Sequence, residues 1–229
     1  MSIDIAPFLH QYADLPTGCY SFVAPRPASR PRLVRVNHDL AHTLGIDIGT
    51  LTGNAGVSVL SGNATAAGSR PLAMAYAGHQ FGGWVPSLGD GRAILLGEIR
   101  GQDGLVYDIQ LKGSGRTPYS RNGDGLAAIG PVLREYIVSE AMHALGVPTT
   151  RSLAALTTGD PVFRERTLPG AILVRVARSH IRVGTFQYFL ARDQINEIRA
   201  IADLQISRKY IGLTGRKGPY HKHLEADIA

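Results

Sequence analysis

The chain predicts an α+β fold, and three observations carry that reading. Two strand-like runs face each other across a glycine turn between positions 93 and 112. A helical period then runs from Pro131 to a Gly-Val-Pro stop at Gly146. Further strand-like runs follow at 152–156 and 171–176. Strands, one well-marked helix and more strands make an α+β lobe. With 229 residues, 44% hydrophobic and 18% charged, the chain can bury a sizeable core.

In chain order, a proline-rich stretch at 25–31 leads into Leu33-Val-Arg-Val-Asn-His-Asp-Leu-Ala-His-Thr-Leu-Gly, whose spacing predicts a short helix near 37–44 closed by Gly45. Residues 53–68, rich in Gly, Ala, Ser and Thr, read as loop or weak helix. The hairpin comprises Ala93-Ile-Leu-Leu-Gly-Glu-Ile, a turn at Gly101-Gln-Asp-Gly, and Leu105-Val-Tyr-Asp-Ile-Gln-Leu-Lys112. In its second strand Leu105, Tyr107, Ile109 and Leu111 alternate with Asp108, Gln110 and Lys112, so one face is core and the other polar. Residues 113–125 form a loop with four glycines and two arginines. Leu133, Ile137, Ala141 and Leu145 mark the helix, with Pro131 suited to its first turn. Residues 187–209 are again helical in pattern.

Composition narrows the function classes. No apolar run approaches the ~18 to 20 residues that cross a bilayer, so no membrane partner is expected. The first residues, with an acid at Asp4, lack the pattern of a secretory signal, and a cytoplasmic location is the simplest expectation. A single cysteine, Cys19, makes no internal disulfide and reads as a packed residue. Histidines 79, 143, 180, 221 and 223 show no metal-ligand spacing, so no metal site is expected here, and His79 reads as structural. A net charge of +6 favours an anionic ligand, although much of it is accounted for by a solvated basic surface. The basic residues are scattered, without a run of five or an aromatic-rich basic motif, and no nucleic-acid partner is expected.

Three phosphate-binding arrangements compete for Gly89-Asp-Gly-Arg92. The Rossmann version needs a helix after the turn, where residues 93–99 read as strand. The Walker pattern is absent. The kinase arrangement remains: a glycine turn over the phosphates, a lysine on a following strand and a glutamate on the next helix. Gly89, Gly91, Lys112 and Glu135 supply these parts in that order. A fixed ammonium and close backbone approach favour polyphosphate, and Glu135 would orient Lys112. The same residues admit a plainer reading, with Lys112 an exposed strand-end lysine and Glu135 complementing its helix dipole. Arg175 interrupts an aliphatic strand and suits a bidentate phosphate contact. Arg116, Arg121 and Arg178 read as surface residues.

Several long strings then carry a resemblance. Tyr76-Ala-Gly-His-Gln-Phe-Gly-Gly-Trp, Leu88-Gly-Asp-Gly-Arg-Ala, Ile109-Gln-Leu-Lys-Gly-Ser-Gly-Arg-Thr-Pro-Tyr-Ser-Arg, Asp124-Gly, Leu133-Arg-Glu-Tyr and Ser179-His-Ile-Arg-Val-Gly-Thr-Phe closely resemble the selenoprotein O, or YdiU, family. The resemblance implies a protein-kinase-like (pseudokinase) fold that binds ATP in a flipped orientation and transfers AMP to Ser, Thr or Tyr hydroxyls of protein substrates. By motif position Gly89, Gly91, Arg92, Lys112, Asp124, Gly125, Arg175 and Arg182 are implied nucleotide contacts. Lys112 and Glu135 form the implied catalytic pair, and Mg²⁺ or Mn²⁺ is the implied metal.

The implied division is an extension at 1–70 packing on the lobe, a nucleotide-binding lobe at 71–185 and the start of a helical lobe at 186–229. The family's aspartate base and its metal-holding Asn and Asp are expected beyond Ala229, since Asp193, Asp203 and Asp227 lie in neither motif context. A chain of this extent is therefore expected to hold nucleotide without transferring AMP alone. A non-catalytic ATP-binding module and a phosphoryl-transferring kinase relative remain open alternatives.

Overall fold

The computed structural model describes residues 3–209 and 218–228. Positions 210–217 and 229 of the expected helical segment, and the first two residues, lie outside them. The elements in order are β1 (Tyr20–Phe22), β2 (Arg32–Val36), α1 (His38–Thr43), α2 (Ile48–Thr52), α3 (Asn54–Leu60), β3 (Leu72–Met74), β4 (Gly78–Gln80), β5 (Gly83–Val85), β6 (Ala93–Arg100), β7 (Val106–Lys112), β8 (Ala127–Ala128), α4 (Ile129–Ala144), β9 (Arg151–Phe163), β10 (Thr167–Ala177), α5 (Val183–Leu190), α6 (Ile195–Lys209) and α7 (Pro219–Ile228).

Among the described residues an eight-stranded antiparallel sheet runs β1-β3-β6-β7-β10-β9-β2, with β8 paired to β10, and β4–β5 form a separate two-stranded flap. The sheet's two faces follow from strand alternation. On one face Leu96, Ile109, Leu111, Leu156, Val174 and Val176 form a single core with Leu40, Leu51 and Leu60 of α1 to α3. On the other, Leu95 packs with Tyr12, Cys19, Leu72, Phe189 and Ile201, while Ala155, Ala171 and Leu173 meet Val132 of α4. Residues 1–70 thus supply two strands and much of one core.

Local chemistry sets the helix starts. Asn37 caps α1 by accepting the Leu40 N–H at 3.0 Å, and Asp47 caps α2 by accepting that of Thr50 at 2.6 Å. Residues 54–60, left between loop and weak helix by their composition, form α3 because Val59 and Leu60 bury against the sheet. The long helix starts two residues before Pro131, at Ile129.

Its packed face differs from the four-residue stripe in the sequence. Val132 and Ser139 are buried, whereas Ile137 and Leu145 are 66% and 81% exposed. Ile137→Lys is accordingly expected to change the unfolding free energy by less than about 0.5 kcal/mol, read by urea denaturation. A much larger loss would return Ile137 to the core.

Strand β7 also differs in detail. Its polar face is covered: Asp108 and Gln110 are fully buried, and only Lys112 reaches the cleft described below. Asp108 accepts from Arg208 at 2.6 Å and from the His180 backbone N–H at 2.7 Å, while Gln110 donates to Asp90 at 3.0 Å. Arg178 is not a surface residue. It is part-buried, lies over the Tyr107 ring and donates to the Arg208 carbonyl at 3.1 Å. Cys19 is packed as expected, and burial, with Glu197 adding, pushes its thiol up to about 12, which removes it as a nucleophile.

Candidate functional site

A cleft of about 400 Å³ opens where the ends of β6, β7 and β10 meet the Gly89–Gly91 turn and the 113–125 loop. Every implied nucleotide contact lines it: Gly89, Gly91, Arg92, Lys112, Asp124, Gly125, Arg175 and Arg182. Glu135 does not. It reaches the site from α4 through Lys112, with Nζ 2.5 Å from Oε2. Lys112 is therefore not a free strand-end lysine.

Arg175 stands beside Lys112 because residue 173 of β10 pairs with 112 of β7, which leaves 175 on the same face. Its guanidinium is nearly buried, and its Nε lies 3.7 Å from Glu135 Oε1 without a hydrogen-bond partner among the described residues. Burial lowers the pKa of both cations. Glu135 opposes this at each, while Arg175 and Arg92 add to the lowering at Lys112 and Arg182 adds to it at Arg175. Arg182 stands before α5, whose Thr185 Oγ1 accepts its backbone N–H at 3.1 Å, and its guanidinium lies over the Tyr76 ring at 4.8 Å.

The two rims are sewn together. Thr117 Oγ1 donates to the Asp90 carbonyl at 2.6 Å and Ser120 Oγ to the Gly91 carbonyl at 2.5 Å. Gly89 has φ +57°, and a Cβ there would meet the Tyr119 ring at 2.2 Å. Its glycine is therefore required by the packing of Tyr119 against the turn. The turn links two strands of different sheets, β5 of the flap and β6 of the main sheet. His79 sits exposed on that flap with its ring 5.2 Å from Trp84.

Among the lining residues that the sequence reading left out of the site are Asp90, Tyr119, Arg121 and Arg164. Arg121 lines the cleft and donates to Gln80 of the flap at 3.0 Å, so it is not simply a solvated loop residue. Asp90 is buried beneath the turn and accepts from the Met74 N–H at 3.2 Å as well as from Gln110. Burial pushes its carboxyl up to about 6 against the pull of Arg182, the Met74 N–H and Arg175.

The electrostatic result is one-sided. Arg92, Lys112, Arg121, Arg164, Arg175 and Arg182 line the cleft against two acids, Asp90 and Asp124. Such a concave cationic surface suits a polyanion. Among the described residues no three His, Cys, Asp or Glu side chains converge as metal ligands. Nor is any described helix long and apolar enough to cross a membrane.

Comparison with known proteins adds an independent finding. The family model described as "Protein adenylyltransferase SelO" matches residues 5–227. The chain is 58% identical over 223 residues to a Bradyrhizobium protein named "Protein nucleotidyltransferase YdiU", with 97% of this chain and 45% of that protein covered. Proteins of the same name from Methylorubrum populi and Alkalilimnicola ehrlichii are 59% and 56% identical, over 97% and 98% of this chain and 45% of each relative. The chain thus spans a little under half the length of the curated relatives it matches.

Proposed function

The chain belongs to the SelO family of protein adenylyltransferases, and from that premise we propose that its cleft holds ATP for transfer of AMP to Ser, Thr or Tyr hydroxyls of protein substrates. The observation that carries the ATP reading is the convergence of Lys112, Arg175 and Arg182 on one cleft. A phosphate group in the cleft would be stabilised by these three charges. The glycine turn, the lysine on the second strand after it and the glutamate it meets on the following helix support a kinase-like lobe.

In this reading ATP lies with its terminal phosphate deep, against Lys112, Arg175 and Arg182, and its α-phosphorus toward the acceptor. The acceptor oxygen bonds to the α-phosphorus, the bond from that phosphorus to the bridging oxygen breaks, and pyrophosphate leaves. Residues 71–185 form the nucleotide lobe, 1–70 complete its sheet and 186–229 begin the helical lobe. The base that takes the hydroxyl proton, and the ligands for Mg²⁺ or Mn²⁺, come from the part of the relatives that this chain does not span. The chain alone would then hold nucleotide without transferring it.

Calorimetric titration of ATP and AMP tests the phosphate end. Lys112→Ala, Arg175→Ala and Arg182→Ala are each expected to weaken ATP by about 1.5 to 3 kcal/mol, roughly ten- to a hundredfold, and AMP much less. Exposure of Arg182 to solvent places it at the lower end of that range. Arg32→Ala, on an exposed position of edge strand β2, is expected to leave both affinities unchanged. Equal losses for ATP and AMP would overturn the orientation, and a parent that binds neither would overturn the nucleotide reading.

A further inference from the structure

Arg164, at the tip of the β9–β10 hairpin, lines the cleft. Pairing of Gly170 and Ala171 of β10 with Ala128 and Ala127 of β8 brings that tip beside Asp124. There Arg164 donates from Nη1 to Asp124 Oδ2 at 2.7 Å and from Nη2 to Oδ1 at 3.0 Å. The fork is held at its other edges by the Phe163 carbonyl at 2.6 Å and the Leu126 carbonyl at 3.2 Å. Asp124 Oδ1 also accepts the Leu126 N–H at 2.9 Å. Both carboxylate oxygens are therefore occupied, and the guanidinium bonds two residues of one loop.

This arrangement resolves a difficulty in the cleft's charge pattern. A carboxylate beside a polyphosphate is unfavourable unless its charge is cancelled, and the bidentate pair cancels it at contact distance. The next residue, Gly125, has φ +71°, and a Cβ there would lie 2.0 Å from the Gly115 carbonyl oxygen, so this segment tolerates little displacement. None of the sequence motifs that point to the nucleotide site includes Arg164.

We infer that Arg164 is a positioning residue of the nucleotide site, acting through Asp124: it fixes the 123–126 segment at the cleft wall and removes a negative charge from beside the polyphosphate. This rests on the nucleotide reading of the cleft. Hydrogen bonding from Arg164, against partial burial, also holds the Asp124 carboxyl below its ordinary range, so the pair stays charged at neutral pH.

The test titrates ATP and AMP into the parent, Arg164→Ala, Arg164→Lys and the double variant Arg164→Ala/Asp124→Asn, each checked for a parent-like thermal melt. Arg164→Ala frees the carboxylate, and ATP is expected to weaken about tenfold while AMP, with fewer charges, weakens less. Removing the freed charge in the double variant is expected to restore at least half of that loss on a logarithmic scale. A residue that merely stabilised the fold would give no such rescue. Arg164→Lys keeps the charge with a single donor and is expected to lie between parent and Arg164→Ala; it carries the comparison should the alanine variant not fold.

Equal losses for ATP and AMP, or a double variant no better than Arg164→Ala, would overturn the inference and instead make Arg164 a scaffold residue or a direct phosphate contact. Those outcomes leave the nucleotide reading standing. A parent that binds no ATP overturns both.

Discussion

Arg208→Ala is expected to lower the unfolding free energy by about 3 to 5 kcal/mol, the cost of leaving a buried charge without its partner. Asp108 is fully buried in the middle of β7, and Arg208, near the end of α6, is nearly so. Burial pushes the Asp108 carboxyl up, yet the Arg208 charge and the bonds from Arg208 and His180 outweigh it and hold the group below its ordinary value. His180 adds little charge. Burial lowers its pKa, and its Nδ1, though 3.3 Å from Asp108 Oδ2, lacks hydrogen-bond geometry.

Once Arg208 is gone, the carboxylate must take up a proton or remain unpaired. Urea denaturation at pH 7 measures the loss. The double variant Arg208→Met/Asp108→Asn removes both charges and is expected to recover most of it. A loss below about 1 kcal/mol in the single variant would mean that water reaches the pair. The consequence extends to the cleft, because Asp108 lies four residues from Lys112 on one strand and its pairing with Arg208 anchors α6 to that strand.

The main strands and the lysine–glutamate pair were legible in the sequence because each rests on a local period. Alternation placed Lys112 opposite the apolar face of β7, and the next helical run supplied Glu135. The packed face of α4 was not legible from the same rule. Residues four apart drift by about 40° per step around a helix, so Leu133 and Leu145 stand about 120° apart and cannot share one contact surface. Arg178 was misread because its partners, Tyr107 and the Arg208 carbonyl, come from other elements, and an arginine looks the same in sequence whether solvated or packed.

The 113–125 loop shows a second limit. Its glycines announced a tight path, but no period tells which side chains return to the glycine turn. Thr117 and Ser120 bond to carbonyls 27 and 29 residues away, and Asp124 meets Arg164 across 40 residues. Asp90 stood in view inside Gly-Asp-Gly, yet its burial depends on Met74 and Gln110, which only the sheet brings together.

That burial gives Asp90 a measurable signature, which Asp90→Asn isolates. Burial raises its pKa from the ordinary 3.8 to about 6 in the folded protein, despite the pull of Arg182 and Arg175. Between those two values the folded state holds a proton that the unfolded chain has released. Stability from this group is therefore greatest below about pH 4 and falls as pH rises toward 6. A shift of this size corresponds to about 3 kcal/mol at most, at about 1.4 kcal/mol per pH unit. Asparagine can keep an acceptor toward Met74 and Gln110 and has no proton to lose. The Thr117 bond goes to the backbone of residue 90 and is retained.

The parent's own pH profile is a sum of several groups. Glu98 is raised to about 7, mainly by burial with Asp108 adding, and acts in the same direction, while the lowered pKa of buried His180 acts in the opposite one. The difference between Asp90→Asn and parent cancels both. It is expected to move in favour of the variant from pH 4 to pH 6 and to level off above, as read by urea midpoints at constant ionic strength. A difference that stays flat across that window would show that Asp90 titrates near its ordinary value, and that the floor of the cleft is wetter than its packing implies.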